Sequence, residues 1–366
     1  MRKYLAVCLL AGYGQLSAQN HSFTINGSIA GAREGTKLYL EETNPVRKRI
    51  DSAIITNGAF SFTGSLVEEG KQLYIFSADT EKGMDYTSLW AGPGMVTVTG
   101  KNGKLRGAAI EGSAIQETAE TLRALTAPLR KTEDSLSALL DKEKDTVVRA
   151  SLIRQLRMVD SRQKETEMAF VRSNPSSFYS IYVLSLYSTT WGKEKVTELY
   201  SMLSDNLKKT SYGKNIETFI SLSRGLKLGD PYADFTQMDT RDRDIMLSAI
   251  VNRSKYVLLD FWSSYCGPCR EENPRLQKTY ETFKDKGFEI LGVSMDDNKK
   301  LWLEAVKKDG ITWVNVSDLL GDRNKAALMY NVSSMPSSFL IDANGKIIAR
   351  DLRGQKLHDT LAGLLK

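Results

Sequence analysis

Cysteine and histidine are nearly absent from this chain: 366 residues contain 3 Cys and 2 His. A structural zinc site needs four such ligands, and a nucleophilic triad needs a histidine with partners around it. Cys8 lies in an N-terminal segment read below as removed, and His21 and His358 lack the partners either arrangement requires. No metal is therefore expected. A Walker-type phosphate loop is also missing, and Gly12-Tyr13-Gly14 does not follow a strand, so no nucleotide cradle is expected. The net charge of +6 is spread among acids, without a basic patch interleaved with aromatics, which argues against nucleic acid as a partner. Beyond the first residues, no apolar run approaches the roughly 20 residues that cross a bilayer.

The N-terminus itself has a distinct pattern. Arg2-Lys3, an apolar stretch over 4–12 and the small Ala18 before Gln19 predict a cleaved signal peptide at 1–18. Val7 is not the small residue that lipid attachment at Cys8 needs, so anchoring is not expected and the mature chain is expected in the periplasm or cell envelope. Loss of Cys8 leaves Cys266 and Cys269. An exported chain with a single C-x-x-C uses it for exchange.

The surroundings of this pair fit that use. The continuous apolar run 257–261 predicts a buried strand, and the charged stretch 270–283 predicts a helix after it. Cys266 then sits at a helix N-terminus, where free N–H groups and the helix dipole favour the thiolate. A purely structural bridge across so short a loop removes little unfolded-state entropy. Redox chemistry is the better reading.

Asp260 stands six residues before Cys266, Pro274 five after Cys269, and Ser334-Met335-Pro336-Ser337 precedes the strand-like 338–341. This set resembles thioredoxin. The segment inserted after the site, with strands expected at 290–294 and 312–316 around a helical stretch at 299–308, resembles the TlpA/ResA branch of envelope thiol–disulfide oxidoreductases. The resemblance implies an α/β thioredoxin fold over 229–366. By the same resemblance Cys266 attacks a substrate disulfide, Cys269 resolves the mixed disulfide, Asp260 accepts a proton with its pKa raised by burial, and Pro336 is cis. It further implies substrate contacts from Trp262, Tyr265, Gly267, Pro268 and Met335, and no cofactor. The implied partners are exported proteins carrying disulfides and a membrane thiol reductase as electron donor. Tyr265 replaces the usual Trp, and Met335 replaces a smaller or branched residue. An acid some relatives use in the insert corresponds to Asp296 or Asp297.

Upstream, residues 22–112 alternate in short runs, with Asn57-Gly58 as a tight-hairpin signal, and predict an antiparallel all-β sandwich or barrel. Residues 113–228 read as helical: Ser113 to Gln116 resembles a capping box, Pro128 is expected to kink or split the first helix, and Asn174-Pro175 ends the second. Two other functions compete with a reductase. One is a non-catalytic envelope binding or assembly protein that carries a thioredoxin module. The other is a peroxidase, disfavoured because Ser263 stands where peroxiredoxins place Thr.

Overall fold

The computed structural model describes residues 22–42, 48–66, 68–77 and 85–366; the expected signal peptide and Cys8 lie outside the described residues. The chain divides into two compact units, Met1–Lys131 and Thr132–Lys366.

The first unit holds β1 (Ser22–Ile29), β2 (Lys37–Glu42), β3 (Lys48–Ile54), β4 (Ala59–Ser65), β5 (Lys71–Ser77), β6 (Asp85–Ala91), β7 (Gly94–Lys101) and β8 (Lys104–Glu111). They form two four-stranded sheets, ordered β4-β1-β7-β8 and β3-β2-β5-β6. Alternation along the strands turns Phe23, Ile25, Leu38, Leu40, Val96 and Val98 into one core shared by both sheets. Cross-strand pairing also explains Gly27: the ring of Phe60 occupies the space a Cβ would fill, 1.9 Å from its Cζ.

The expectation of a purely antiparallel arrangement is corrected at one pairing. β1 and β7 run parallel, from Phe23↔Gly94 to Ile29↔Gly100. Period-two alternation reports which face is buried, not which way the neighbour runs. A parallel pair needs a long crossover, and the whole second sheet supplies it. The Asn57-Gly58 turn is present, with Thr56 and Ala59 bonded both ways across it and positive φ at both central residues (51° and 74°). It turns the chain from one sheet to the other, since β3 and β4 belong to different sheets.

Helix α1 (Ala114–Lys142) runs unbroken through Pro128, so the expected split does not occur. Nearby carbonyls find side-chain donors: Arg130 Nη2 donates to Arg123 O (3.2 Å) and Thr126 Oγ1 to Leu122 O (3.0 Å). Only half of the capping box forms. Ser113 Oγ accepts from Gln116 N (3.3 Å), while Gln116 Oε1 accepts from Trp90 N (2.8 Å) instead of closing on Ser113.

The second unit continues with α2 (Thr146–Ser173), capped by Asp145, and the shorter α3 (Phe178–Leu186), α4 (Ser188–Trp191), α5 (Lys193–Met202), α6 (Asp205–Lys208) and α7 (Ser211–Leu222). Then come β9 (Thr236–Asp239), β10 (Asp244–Met246), α8 (Leu247–Val251), β11 (Tyr256–Trp262), α9 (Gly267–Phe283), β12 (Phe288–Ser294) and α10 (Lys299–Lys308). The chain ends with β13 (Val314–Ser317), α11 (Lys325–Met329), β14 (Ser337–Asp342), β15 (Ile347–Arg350) and α12 (Gly354–Leu364). The seven strands form one mixed sheet, ordered β10-β9-β13-β12-β11-β14-β15. β11 lies inside the sheet, parallel to β12 and antiparallel to β14. Its side chains feed separate cores on the two faces, Leu259 and Phe261 on one and Leu258 on the other, which is why the strand reads as continuously apolar.

Candidate active site

The end of β11 and the start of α9 place the cysteine pair. Cys266 is the N-cap of α9, and Cys269 lies in its first turn with its N–H donating to Cys266 Sγ at 3.2 Å. The two form a disulfide. Both residues are buried, Cys266 at 8% exposure and Cys269 at 3%. A thiolate at Cys266 would sit on the positive end of a 17-residue helix.

The loop that carries Cys266 is tied down from the insert. Met295 N donates to Trp262 O (2.8 Å), and Tyr265 OH donates to Met295 O (3.0 Å). Asp296, 2% exposed, accepts from Ser264 N (2.9 Å), from Ser294 Oγ (2.7 Å) and from Ser264 Oγ. Farther along the insert, Asp309 binds Arg270 Nε (2.9 Å) and Asn273 Nδ2 (2.9 Å), and Arg270 Nη1 reaches Ser264 O (3.3 Å). Burial works against a charge on Asp309, but the bonds from Arg270 and Asn273 outweigh it and hold the carboxyl below the usual range.

Beneath Cys269 lies a small cavity lined by Asp260, Glu272, Asn273, Pro336 and Arg353 as well as the cysteine itself. Met335-Pro336 is cis. Burial raises the pKa of Asp260 to about 7; the Arg353 charge opposes that rise and the Glu272 charge adds to it. Glu272 accepts from Gly354 N (2.6 Å), and Arg353 Nη2 donates to Pro336 O.

Of the residues expected at the site, Cys266, Cys269, Asp260 and Pro336 are brought together. Tyr265, Gly267 and Pro268 are exposed beside them and Met335 is half-buried, but Trp262 is not available as a substrate contact. It is 1% exposed, its indole N–H donates to Asn315 Oδ1 (2.7 Å), and it forms the floor under the cysteines. The insert acids also separate: Asp297 is exposed, whereas Asp296 is spent on Ser264 and Ser294. Sequence reading missed Glu272 and Arg353. Glu272 stands three residues after Cys269 on one helix face, a spacing that could have flagged it. Arg353 carries no such local signal.

Comparison with known proteins matches two separate stretches of the chain. A family model described as AhpC/TSA matches residues 228–350, and one described as a domain of unknown function, DUF4369, matches residues 23–118. The thiol-disulfide oxidoreductase ResA of Bacillus thuringiensis subsp. konkukian is 30% identical over 141 residues, which are 38% of this chain and 78% of the relative. That of Geobacillus kaustophilus is 31% identical over 129 residues, 35% of this chain and 71% of the relative. The solved thioredoxin domain of a thiol-disulfide oxidoreductase from Bacteroides vulgatus is 36% identical, covering 38% of this chain and 99% of that one with a TM-score of 0.36.

Proposed function

Because this chain belongs to the ResA family of thiol–disulfide oxidoreductases, we propose that it reduces disulfides of exported proteins in the cell envelope through Cys266 and Cys269. The Cys266 thiolate attacks one sulfur of a substrate disulfide, forming a mixed disulfide and releasing the other sulfur as a thiolate. Cys269 then loses its proton to Asp260 and attacks Cys266 Sγ. The substrate leaves as a dithiol, and the protein is left as the Cys266–Cys269 disulfide seen here. A membrane thiol reductase returns two electrons for each cycle.

The observation that carries this reading is the cavity shared by Cys269, Asp260 and Pro336 below a cysteine at a helix N-terminus. An acid whose pKa is raised to about 7 can accept a proton near neutral pH, which an ordinary surface carboxylate cannot do efficiently. The exposed Tyr265, Gly267 and Pro268, with Met335, offer the face on which a substrate chain would lie.

Two measurements test the proposal. The mature protein should reduce insulin disulfides with dithiothreitol as donor, and Cys269→Ser should accumulate mixed disulfides with envelope proteins through Cys266. The Gly267-Pro268 spacer, shared with thioredoxin, favours a reduction potential nearer thioredoxin's, about −270 mV, than DsbA's. A value near roughly −120 mV would reverse the assigned direction.

A further inference from the structure

We propose that Arg353 is a positioning residue that joins the proline loop to the proton acceptor: anchored on Pro336 O, it lines the cavity beneath Cys269 and brings a positive charge to Asp260. This rests on the proton-acceptor role of Asp260 proposed above.

The geometry has two parts. On the loop side, Arg353 Nη2 donates to Pro336 O and lies 3.7 Å from Asp351 Oδ1. Asp351 in turn accepts from Ser337 Oγ (3.0 Å) and Ser338 N (3.1 Å). Arg353 and Asp351 thus brace three consecutive residues, 336–338, that lead from the proline into β14. On the cavity side, Arg353 shares its walls with Asp260 from β11 and with Cys269, Glu272 and Asn273 from α9.

Glu272 is already served by Gly354 N at 2.6 Å, at the start of α12, and it lies 3.6 Å from Arg275 Nη1 on its own helix. Asp260 has no such donor at hydrogen-bond distance among the described residues, so the Arg353 charge is what opposes its burial. Glu272 pushes in the other direction. A fixed cation here keeps Asp260 able to ionise near neutral pH, and it ties that ability to the placement of the loop a substrate would meet.

The test is the pH profile of the resolution step, followed as release of a small thiol from a preformed mixed disulfide on Cys266. Arg353→Gln keeps a donor for Pro336 O but loses the charge, so its midpoint should move up by about one pH unit, with about tenfold slower resolution below the midpoint. Arg353→Lys keeps the charge and should stay near the wild type. Arg353→Met retains the packed stem and carries the same prediction as Arg353→Gln, should the latter fail to fold. Infrared titration of the carboxyl band missing in Asp260→Asn reads the same midpoint in the oxidised protein, without turnover.

An unmoved midpoint in Arg353→Gln or Arg353→Met overturns the inference. So does an equal shift in Arg353→Lys, which would assign the effect to contact and not charge. If Asp260→Asn resolves at the wild-type rate, the acceptor reading falls and takes this inference with it. If Asp260→Asn is slow but the Arg353 variants keep the wild-type midpoint, this inference alone fails.

Discussion

Asp260 is held in the fold in a state water would not favour, and that has a thermodynamic signature apart from catalysis. Its pKa is raised to about 7 in the native chain, whereas an unfolded aspartate titrates near 3.9. Between those values the native state binds more protons, so this group's contribution to stability is present at low pH and is lost as pH rises toward and through 7. Asp260→Asn removes the titration. Its melting temperature relative to wild type should therefore improve between pH 5 and pH 8; parallel curves would mean Asp260 ionises normally. Asp296 calls for a different experiment. Asp296→Asn replaces one acceptor oxygen by a donor facing Ser264, which should cost about 1–3 kcal/mol in denaturant unfolding. It should also raise KM for a protein disulfide more than for a small one, because the loop bearing Tyr265 loosens. Asp260 and Pro336 came only from the resemblance to thioredoxin, whereas the cysteine pair was legible because its signal is local in sequence. The grip of Asp296 on Ser264 was not, since the two lie 32 positions apart and meet only once β12 lies beside β11.

Elements with strong periodicity and caps could be read from the sequence: α2 begins after Asp145 and stops at Ser173, just before Asn174-Pro175. β6 and β8 alternate too weakly to stand out as strands; β8 carries Gly107, Ala108 and Ala109 in its middle. The direction of β1 against β7 could not be read at all, since strand pairing depends on the route of the chain between them. Helix α1 shows the limit of a local rule. Proline costs about 3 kcal/mol in a helix interior, yet this 29-residue helix runs through it. Pro128→Ala should then stabilise the protein by roughly 1–3 kcal/mol in chemical unfolding, reduced by proline's restriction of the unfolded chain. No gain would mean the helix is already strained or frayed there for other reasons. In β1, Gly27→Ala should do the reverse, costing about 1–3 kcal/mol as the Phe60 ring is displaced.

For the whole chain, each unit has its own hydrophobic core, one built from the eight N-terminal strands and others on the two faces of the seven-stranded sheet. Calorimetry should resolve more than one transition. Adding reductant should shift the transition of the second unit alone, because the only disulfide among the described residues lies there. A single transition that moves as one would show that the cores melt cooperatively. The sequence marked where composition changes along the chain, but not that residues 132–228 of its helical stretch fall in the same compact unit as the seven-stranded sheet.

The bonds from residues 295–309 to the loop before Cys266 and to Arg270 on α9 also bear on how such proteins can be rebuilt. The insert is part of the scaffold of the active site, and it is not an interchangeable ornament. A designer who trims it to a minimal thioredoxin, or grafts in the insert of another protein, removes the seat of Ser264 and the anchor of Arg270 at once. A graft lacking counterparts of Asp296 and Asp309 would keep both sulfurs and lose the frame that aims them.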